Sequence, residues 1–490
     1  MMDQTDLLVV GAGPAGMAAA ITARRLGLSV IVADENGAPG GQIYRSILAN
    51  RHRPRRDRLL GADYRSGRDM ADDFVICGAD FRAQTTVIEI TDDGTASLLG
   101  PERGAYVVRA AAVLIATGAY ERPLPVPGWT LPGVMTAGSA QTLLKASGQV
   151  PTGRIVLAGG GPLLWYAASQ LRAAGAEVTA VLSFTPASAY LRNAAAALAA
   201  WRNTRELLLG AAWLGKLLSS RTLVRHGARL TRIDGAAPKL RVHYESGGRV
   251  GVEEAAVVLL HADLIPNIQA GKTLRLDHDW DAVRDCWHPK VDTWGVSSHA
   301  AILVAGDGAG IAGARDAIRG GQLAALGLAN RLGRVTNDRR DREAAPLLAQ
   351  RARERQLRSF FDRLFVAPQW TRIPADDITI VCRCEEVTAA AVRAAVRLGA
   401  SGPNQVKAYV RAGMGACQGR LCAHTIAALV ANERGIEPKQ VPTQNVRPPL
   451  KPVHVGDLAG MDIGIEVSAR RSFSETLLHA PESGVDDRPG

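Results

Sequence analysis

The stretch "DLLVVGAGPAGMAAAITARRLG", residues 6–27, carries the strongest structural signal in the chain. "DLLVV" reads as a short buried strand, Gly11, Gly13 and Gly16 fall on G-x-G-x-x-G, and "MAAAITARRLG" continues as a helix ending near Gly27. A second strand, "SVIVAD", closes on Asp34, about 20 residues beyond the glycines, as a dinucleotide-binding unit requires. Each part has a mechanical role. Gly11 permits the tight turn, Gly13 lets backbone approach a pyrophosphate, and Gly16 lets helix and strand pack closely. The helix that opens at Pro14 and Ala15 turns its N-terminus toward the phosphate charge. Asp34, or Glu35 one residue on, is placed to accept ribose hydroxyls.

Size and charge bound the rest. A chain of 490 residues exceeds what one core supports, so two to four domains are expected. Its 58 Lys and Arg against 47 Asp and Glu make it basic, which suits nucleic acid, an acidic partner or an anionic cofactor. The one dense basic run, "RHRPRRDR" at 51–58, lacks the interleaved aromatics of a nucleic-acid face and reads as a solvated or cofactor-facing loop. The N-terminal apolar stretch follows Asp3 and Asp6 and is broken by glycines and Pro14, unlike a cleavable signal. No apolar run reaches the length of about 20 residues that a membrane span needs. A cytoplasmic protein is expected, in which clustered cysteines bind metal rather than form disulfides.

Three further segments identify the nucleotide. Ala116-Thr117-Gly118 follows the strand-like "AAVLIATG", "AILVAGDGAG" sets Gly306 and Asp307 just after another buried strand, and "PGGQIYR" at 39–45 contains Gly41 and Gln42. These resemble the Ala-Thr-Gly motif, the Gly-Asp motif and the flavin-side loop of two-dinucleotide flavoprotein reductases. The resemblance implies FAD, with Asp307 on the ribityl chain and Gln42 near the ring. It also implies an α/β fold of the pyridine nucleotide-disulfide reductase type, with two Rossmann-like domains.

The second nucleotide-like unit, "RIVLAGGGPLLWYAASQLRAAGAEVTAVLSF", keeps strand, glycine turn (Gly159, Gly160, Gly161) and helix in order. Its third fingerprint position is Leu164, and counting from it places Leu182 where Asp34 stands in the first unit. With no carboxylate for a ribose and no nearby arginine for a 2′-phosphate, the fold is expected to persist while NAD(P)H binding is weak or lost. Binding of NADH in a variant manner stays open. Cys77 and Cys286, isolated in the flavoprotein half, form no C-x-x-C, so a thiol relay beside the flavin is not expected.

After Asp307, "AGARDAIRGGQLAALGLANRLG" reads as an amphipathic helix, and "RARERQLRSFFDRLF" sets Leu357, Phe360, Phe361 and Leu364 on one helical face as part of a connector. Beyond it, "TAAAVRAAVRLG", "PNQVKAYVRAG" and "LCAHTIAALVANERG" read as three short helices, with Thr388 as N-cap and Pro403 near a helix start. Cys382 and Cys384 precede the first helix, and Cys417 and Cys422 bracket the turn before the third. Zinc commonly takes four thiolates from C-x2-C knuckles. Here C-x-C and C-x4-C sit on a helical frame, which favours an iron–sulfur cluster. Arg383 and Arg420 either offset the cluster's negative charge or are solvated. His261, after an apolar strand, reads as a hydrogen-bonded structural histidine in preference to a catalytic one.

"VCRCEEVT", "VRAGMGACQGRLC" and "VRPPLKPV" closely resemble the cluster domain of the bacterioferritin-associated-ferredoxin type. The full order, "GAGPAG", "PGGQIYR", "PGWTLPGVMTAG", "VAGDGAGIAGA" and then that domain, is similar to the α subunit of heteromeric dye-linked dehydrogenases. These include opine oxidases (octopine and nopaline), hydroxyproline and proline dehydrogenases, and the hydrogen cyanide synthase flavoprotein. The resemblance implies Cys382, Cys384, Cys417 and Cys422 as ligands of a [2Fe–2S] cluster and Gly11, Gly13, Gly16, Asp34 and Asp307 as FAD contacts. It implies a β subunit of the amino-acid-oxidase type that holds another FAD and oxidises the substrate, FMN at the interface, a small γ subunit in some members, and an external electron acceptor. Expected domains are 1–120 with 300–340 (FAD), 121–299 (second dinucleotide fold), 341–370 (helical connector), 371–450 (cluster) and 451–490 (tail, its end a candidate for disorder). The competing readings are a self-contained NAD(P)H-dependent FAD/[2Fe–2S] oxidoreductase and a non-enzymatic iron-handling module. No residue marks an amino-acid pocket.

Overall fold

The computed structural model describes residues 2–193, 215 and 222–461, so the end of the tail lies outside the described residues. The apolar run at the N-terminus forms the strand Asp3–Val10, in which Leu7, Leu8 and Val9 are wholly buried. It sits mid-sheet, parallel to Val30–Ala33 on one side and to Gly104–Ile115 on the other. Asp80–Arg82 extends one edge, an antiparallel hairpin (Thr86–Ile90, Thr95–Gly100) extends the other, and Ile302–Val304 returns to pair with Gly104–Ile115. Strands covered on both faces read as continuous apolar runs, which is why these were recognisable. The helix Pro14–Arg25 lies on this sheet, and the return helix Ala314–Arg331 packs against it with Gly321, where a Cβ would meet the Ala15 carbonyl oxygen at 2.0 Å.

A second, all-parallel sheet runs Leu223–His226, Glu177–Ser183, Arg154–Gly159, Val257–His261, Val134–Thr136, flanked by the antiparallel trio Arg229–Ala236, Lys239–Ser246, Arg249–Ala255. A ribbon of Ala119–Glu121 against Leu264–Pro266 joins the two sheets. The chain returns to the first sheet earlier than residue 300: Ala270, Leu274 and Leu276 pack with Leu8, Val10 and Ile31, so the core places this stretch with the first unit. Of the basic run 51–58, only residues 51–53 form a turn. A helix starts at Pro54, whose missing N–H costs nothing in a first turn, and Arg56 donates to the Ala146 and Ser147 carbonyls ending the helix Ala137–Ala146.

The connector is one helix, Asn337–Leu364, and Phe360 and Leu364 bury against Ala189 as their spacing predicts. The three cluster-domain helices are Ala389–Arg397, Pro403–Val410 and Ala423–Arg434, and the Thr388 hydroxyl caps the first by accepting from the Ala391 amide. Two contacts tie this domain to the second sheet: Trp129 Nε1 donates to the Ile380 carbonyl at 2.6 Å, and Trp370 packs edge-on against Phe184 with centroids 4.7 Å apart. Leu450 reaches the first sheet's core. Among the described residues no helix is long and apolar enough to cross a membrane.

Candidate flavin and cluster site

The first glycine turn is built as its spacing requires. Gly11 has φ +104, and a Cβ on Gly16 would stand 1.9 Å from the Gly11 carbonyl oxygen, so a side chain at 16 separates helix from strand. Gly13 differs: its φ of −76 suits any residue, and a Cβ there would have only ordinary contact, 3.8 Å to the Gly41 Cα. Its bareness keeps space free above the turn. Gly40 donates to the Ala12 carbonyl, which lays Gly41 and Gln42 over the turn. Asp34 is buried; Oδ2 accepts from the Ala12 amide at 2.6 Å and Oδ1 from the Asn36 backbone and side-chain amides. One lone pair of Oδ2 remains for a ribose hydroxyl. Glu35 is exposed and paired with Lys451.

Ala116 donates to the Val10 carbonyl and so holds Ala116-Thr117-Gly118 beside the same turn. Thr117 Oγ1 is buried without a hydrogen-bond partner, an orphan that a bound group would satisfy. Gly306 faces Ala15, and Asp307 Oδ1 accepts from the Ala312 and Gly313 amides, leaving Oδ2 unengaged. A cradle of backbone amides, one orphan hydroxyl and two held carboxylates fits an adenine dinucleotide with a ribityl chain.

Lys145 was not foreseen: it is buried below the Gln42 loop, Nζ donating to the Gln42 carbonyl at 3.1 Å, and burial, aided by Arg45, lowers its pKa to about 8. Between that value and the ordinary 10.5 the unfolded chain holds more of this proton, so stability rises with pH. Against Lys145→Met, the wild type is expected to gain about 3 kcal/mol from pH 8 to 10.5 in denaturant titrations. A constant difference would show that Lys145 is charged or solvated in the fold.

The second glycine turn cannot be used in the same way. Leu164 is wholly buried between helix and sheet with Ile155, Leu157 and Val181, so its side chain fills the core rather than the phosphate space. Leu182 lies in the opposite core layer and is not the counterpart of Asp34. Thr179 adds one residue to its strand, and Ser183 pairs with Gly159 as Asp34 stands beside Gly11. The position is still no carboxylate. His261 abuts the turn, its Nε2 3.7 Å from where a Gly161 Cβ would be, and its Nδ1 is bonded to Glu121 Oε1 at 2.7 Å. Glu121 Oε2 accepts the Gly138 amide, so the pair ties three segments together, as expected of a structural histidine. Phe361, Asp362 and Phe365 at the end of the connector line one side of the crevice, whose volume is about 260 Å³. That is below the range of about 300–1,000 Å³ common for ligand pockets, and a dinucleotide is a large ligand.

The cysteines meet. Cys382 ends the strand Ile380–Cys382, Cys384 lies in the turn before Val387–Thr388, and Cys422 stands at the N-cap of Ala423–Arg434. The thiols form two pairs, Cys382 with Cys422 and Cys384 with Cys417, each in hydrogen-bonding contact. The Cys422 hydrogen bond, with the Gly413, Glu385 and Cys384 amides, lowers Cys382 to about 6, while that bond and burial raise Cys422. Among the described residues no three His, Cys, Asp or Glu side chains are arranged around a single ion. Cys422 also feels Cys384 and Cys417, so the four thiols form one group, whose C-x-C and C-x4-C spacing suits two irons better than a zinc knuckle. Gly415 is obligatory here, since its Cβ would lie 2.3 Å from the Cys384 Cβ. Of the arginines, Arg383 is exposed, while Arg420 donates to the Leu450 carbonyl. Cys286 is buried and pushed up to about 12 by desolvation, and Cys77 donates to the Phe74 carbonyl, so neither joins the site.

Tyr120, two residues past Gly118, was missed because no motif marks it. Its hydroxyl lies 3.4 Å from His424 Nε2, in the first turn after Cys422, so one side-chain contact joins the Ala-Thr-Gly segment to the cysteine site.

The pyridine nucleotide-disulphide oxidoreductase family matches residues 5–324, and the BFD-like [2Fe-2S] binding domain matches residues 380–432. The chain is 43% identical to the opine oxidase A subunit of Agrobacterium tumefaciens (strain Ach5), over 94% of this chain and 92% of that protein. It is 33% identical to the hydrogen cyanide synthase HcnB subunit of Pseudomonas aeruginosa over 85% and 90%. Identity to the sarcosine oxidase alpha subunit of Rhizobium meliloti (strain 1021) is 29%, over 94% of this chain but 43% of that longer protein. L-proline dehydrogenase from P. horikoshii has a similar fold, with a TM-score of 0.68 at 17% identity over 94% of this chain and 80% of that one.

Proposed function

We propose a function from the premise that this chain belongs to the pyridine nucleotide-disulphide oxidoreductase family and, over nearly its whole length, to that of the opine oxidase A subunits. It is an oxidoreductase subunit whose two parts bind FAD and a [2Fe–2S] cluster. Its role is to relay electrons. An opine or an amino or imino acid is oxidised at its C–N bond in a partner β subunit, and this chain passes the electrons to an external acceptor.

FAD and the cluster, when bound, carry the electrons; the chain sets their positions and surroundings. Gly11, Gly13, Gly16 and the first turn at Pro14 and Ala15 hold the pyrophosphate. Asp34 takes the ribose, with Glu35 left at the surface by its pairing to Lys451. Gly41 and Gln42 cover the turn, Ala116, Thr117 and Gly118 line it, and Gly306 and Asp307 meet the ribityl chain. Cys382, Cys384, Cys417 and Cys422 would hold the two irons.

The observation that carries this reading is the contact of Tyr120 with His424, which links the segment after the flavin motif to the helix after Cys422, while His261 and the connector line a second crevice of only about 260 Å³. It supports electrons arriving from a partner rather than from NADH. The test is co-expression with candidate β chains and anaerobic addition of an opine, hydroxyproline or proline. One of these is expected to bleach the flavin of the complex but not of the isolated chain. Bleaching of the isolated chain by any of them would place the substrate site in this subunit and defeat the reading.

A further inference from the structure

Between the Ala119–Glu121 ribbon and the helix Ala423–Arg434 lies a cavity of about 320 Å³, with Tyr120 and His424 in its wall. Its walls carry a surplus of positive charge. Arg122, Lys272 and Arg372 face it, and its one carboxylate, Asp285, is already paired with Arg372. Lys272 has no ion-pair partner among the described residues; its ammonium lies 5.6 Å from the centre of the Trp287 ring, and burial holds its pKa down to about 8. Trp287 and Trp280 meet edge to face, 5.1 Å apart, as an apolar wall.

Glutamines also line the cavity. The side-chain carbonyl oxygens of Gln269, Gln418 and Gln444 are buried with no hydrogen-bond partner among the described residues, and Gln269 and Gln444 are more than nine-tenths buried. Arg372 is paired and Arg122 donates to the Arg284 and Asp285 carbonyls, so Lys272 is the cation left without a partner among the described residues; with the unsatisfied carbonyls it calls for a ligand that is anionic at one end and donates N–H groups at the other. A zwitterionic acid does both. A flavin ring, with one ring N–H, meets the carbonyls less well. Gln418 and Gly419 belong to the loop between Cys417 and Cys422, so an occupant would touch the cysteine site.

We propose that this cavity binds a small amino-acid-derived acid of the opine type, its carboxylates on Lys272, Arg122 and Arg372 and its N–H groups on the glutamine carbonyls, next to the cluster loop. The inference rests on the substrate class and cluster proposed above. It places a second binding site for that class in the relay subunit, apart from the partner's.

The isolated full chain, loaded with FAD and cluster, separates the two ideas because it lacks the partner's substrate site. Octopine is expected to quench tryptophan fluorescence saturably and to alter the electron paramagnetic resonance spectrum of the dithionite-reduced cluster. Lys272→Met and Gln269→Leu should each weaken this binding about tenfold or more, with flavin and iron content unchanged. No saturable change with octopine, equal affinity in both variants, or displacement of octopine by flavin mononucleotide would overturn the proposal. If octopine binds here but neither an opine nor hydroxyproline nor proline ever reduces the complex with a β chain, the proposed function fails while the site stands. If octopine reduces the complex but does not bind the isolated chain, the site fails alone.

Discussion

Gly13→Ala is expected to give a folded protein that no longer retains FAD. The backbone at Gly13 has φ −76, which alanine adopts freely, and the added methyl meets nothing closer than the Gly41 Cα at 3.8 Å. The protein therefore has no reason to unfold. The methyl instead occupies the approach to the helix N-terminus, where a pyrophosphate must lie close to backbone amides. FAD affinity should fall at least about a hundredfold, equivalent to about 2.8 kcal/mol, with the melting temperature of the apoprotein unchanged. Gly16→Ala provides the contrast. Its Cβ would lie 1.9 Å from the Gly11 carbonyl oxygen, so the helix must lift off the strand, and apoprotein stability should fall by about 1–3 kcal/mol as FAD is lost. Normal FAD retention in Gly13→Ala would show that the nucleotide is not held at this turn.

Cys417→Ser is expected to abolish the cluster while leaving the flavin in place. A [2Fe–2S] cluster would need all four thiolates, and a serine hydroxyl at 417 removes one of them. Turnover of the complex with a one-electron acceptor should fall about a hundredfold or more, since electrons lose their route past the flavin, while flavin reduction by substrate keeps its rate. Cys77→Ser is the control, because that thiol only donates to the Phe74 carbonyl and should leave iron content unchanged. Stoichiometric zinc in the wild type, retained by Cys417→Ser, would contradict a two-iron site.

Much of this molecule was legible because its local signals agree with its tertiary structure. The first strand, glycine turn and helix were readable since a doubly covered strand is apolar throughout and each glycine meets a real steric limit. Thr388 and Pro403 announced their helices by capping chemistry that depends on nothing distant. The failures are nonlocal. Leu182 was set opposite Asp34 by counting residues, and a single bulge at Thr179 shifts the register by one, which no count reveals. The stretch after residue 266 belongs with the first sheet because Ala270 and Leu274 find their core there, and their sequence is equally compatible with the second. The placing of Phe361 and Phe365 beside the second crevice depends on where a long helix docks. The acidic and basic groups around Lys272 likewise converge from segments far apart in the chain.

Whether electrons enter from a partner's substrate or from a nicotinamide comes down to one anaerobic experiment, the paramagnetic resonance of the cluster. The complex with its β chain, frozen after adding substrate, should show the rhombic signal of a reduced [2Fe–2S] centre, and the isolated chain with stoichiometric NADH should show none. A signal of full intensity from the isolated chain with NADH would refute entry through the partner and make the second crevice a working nucleotide site.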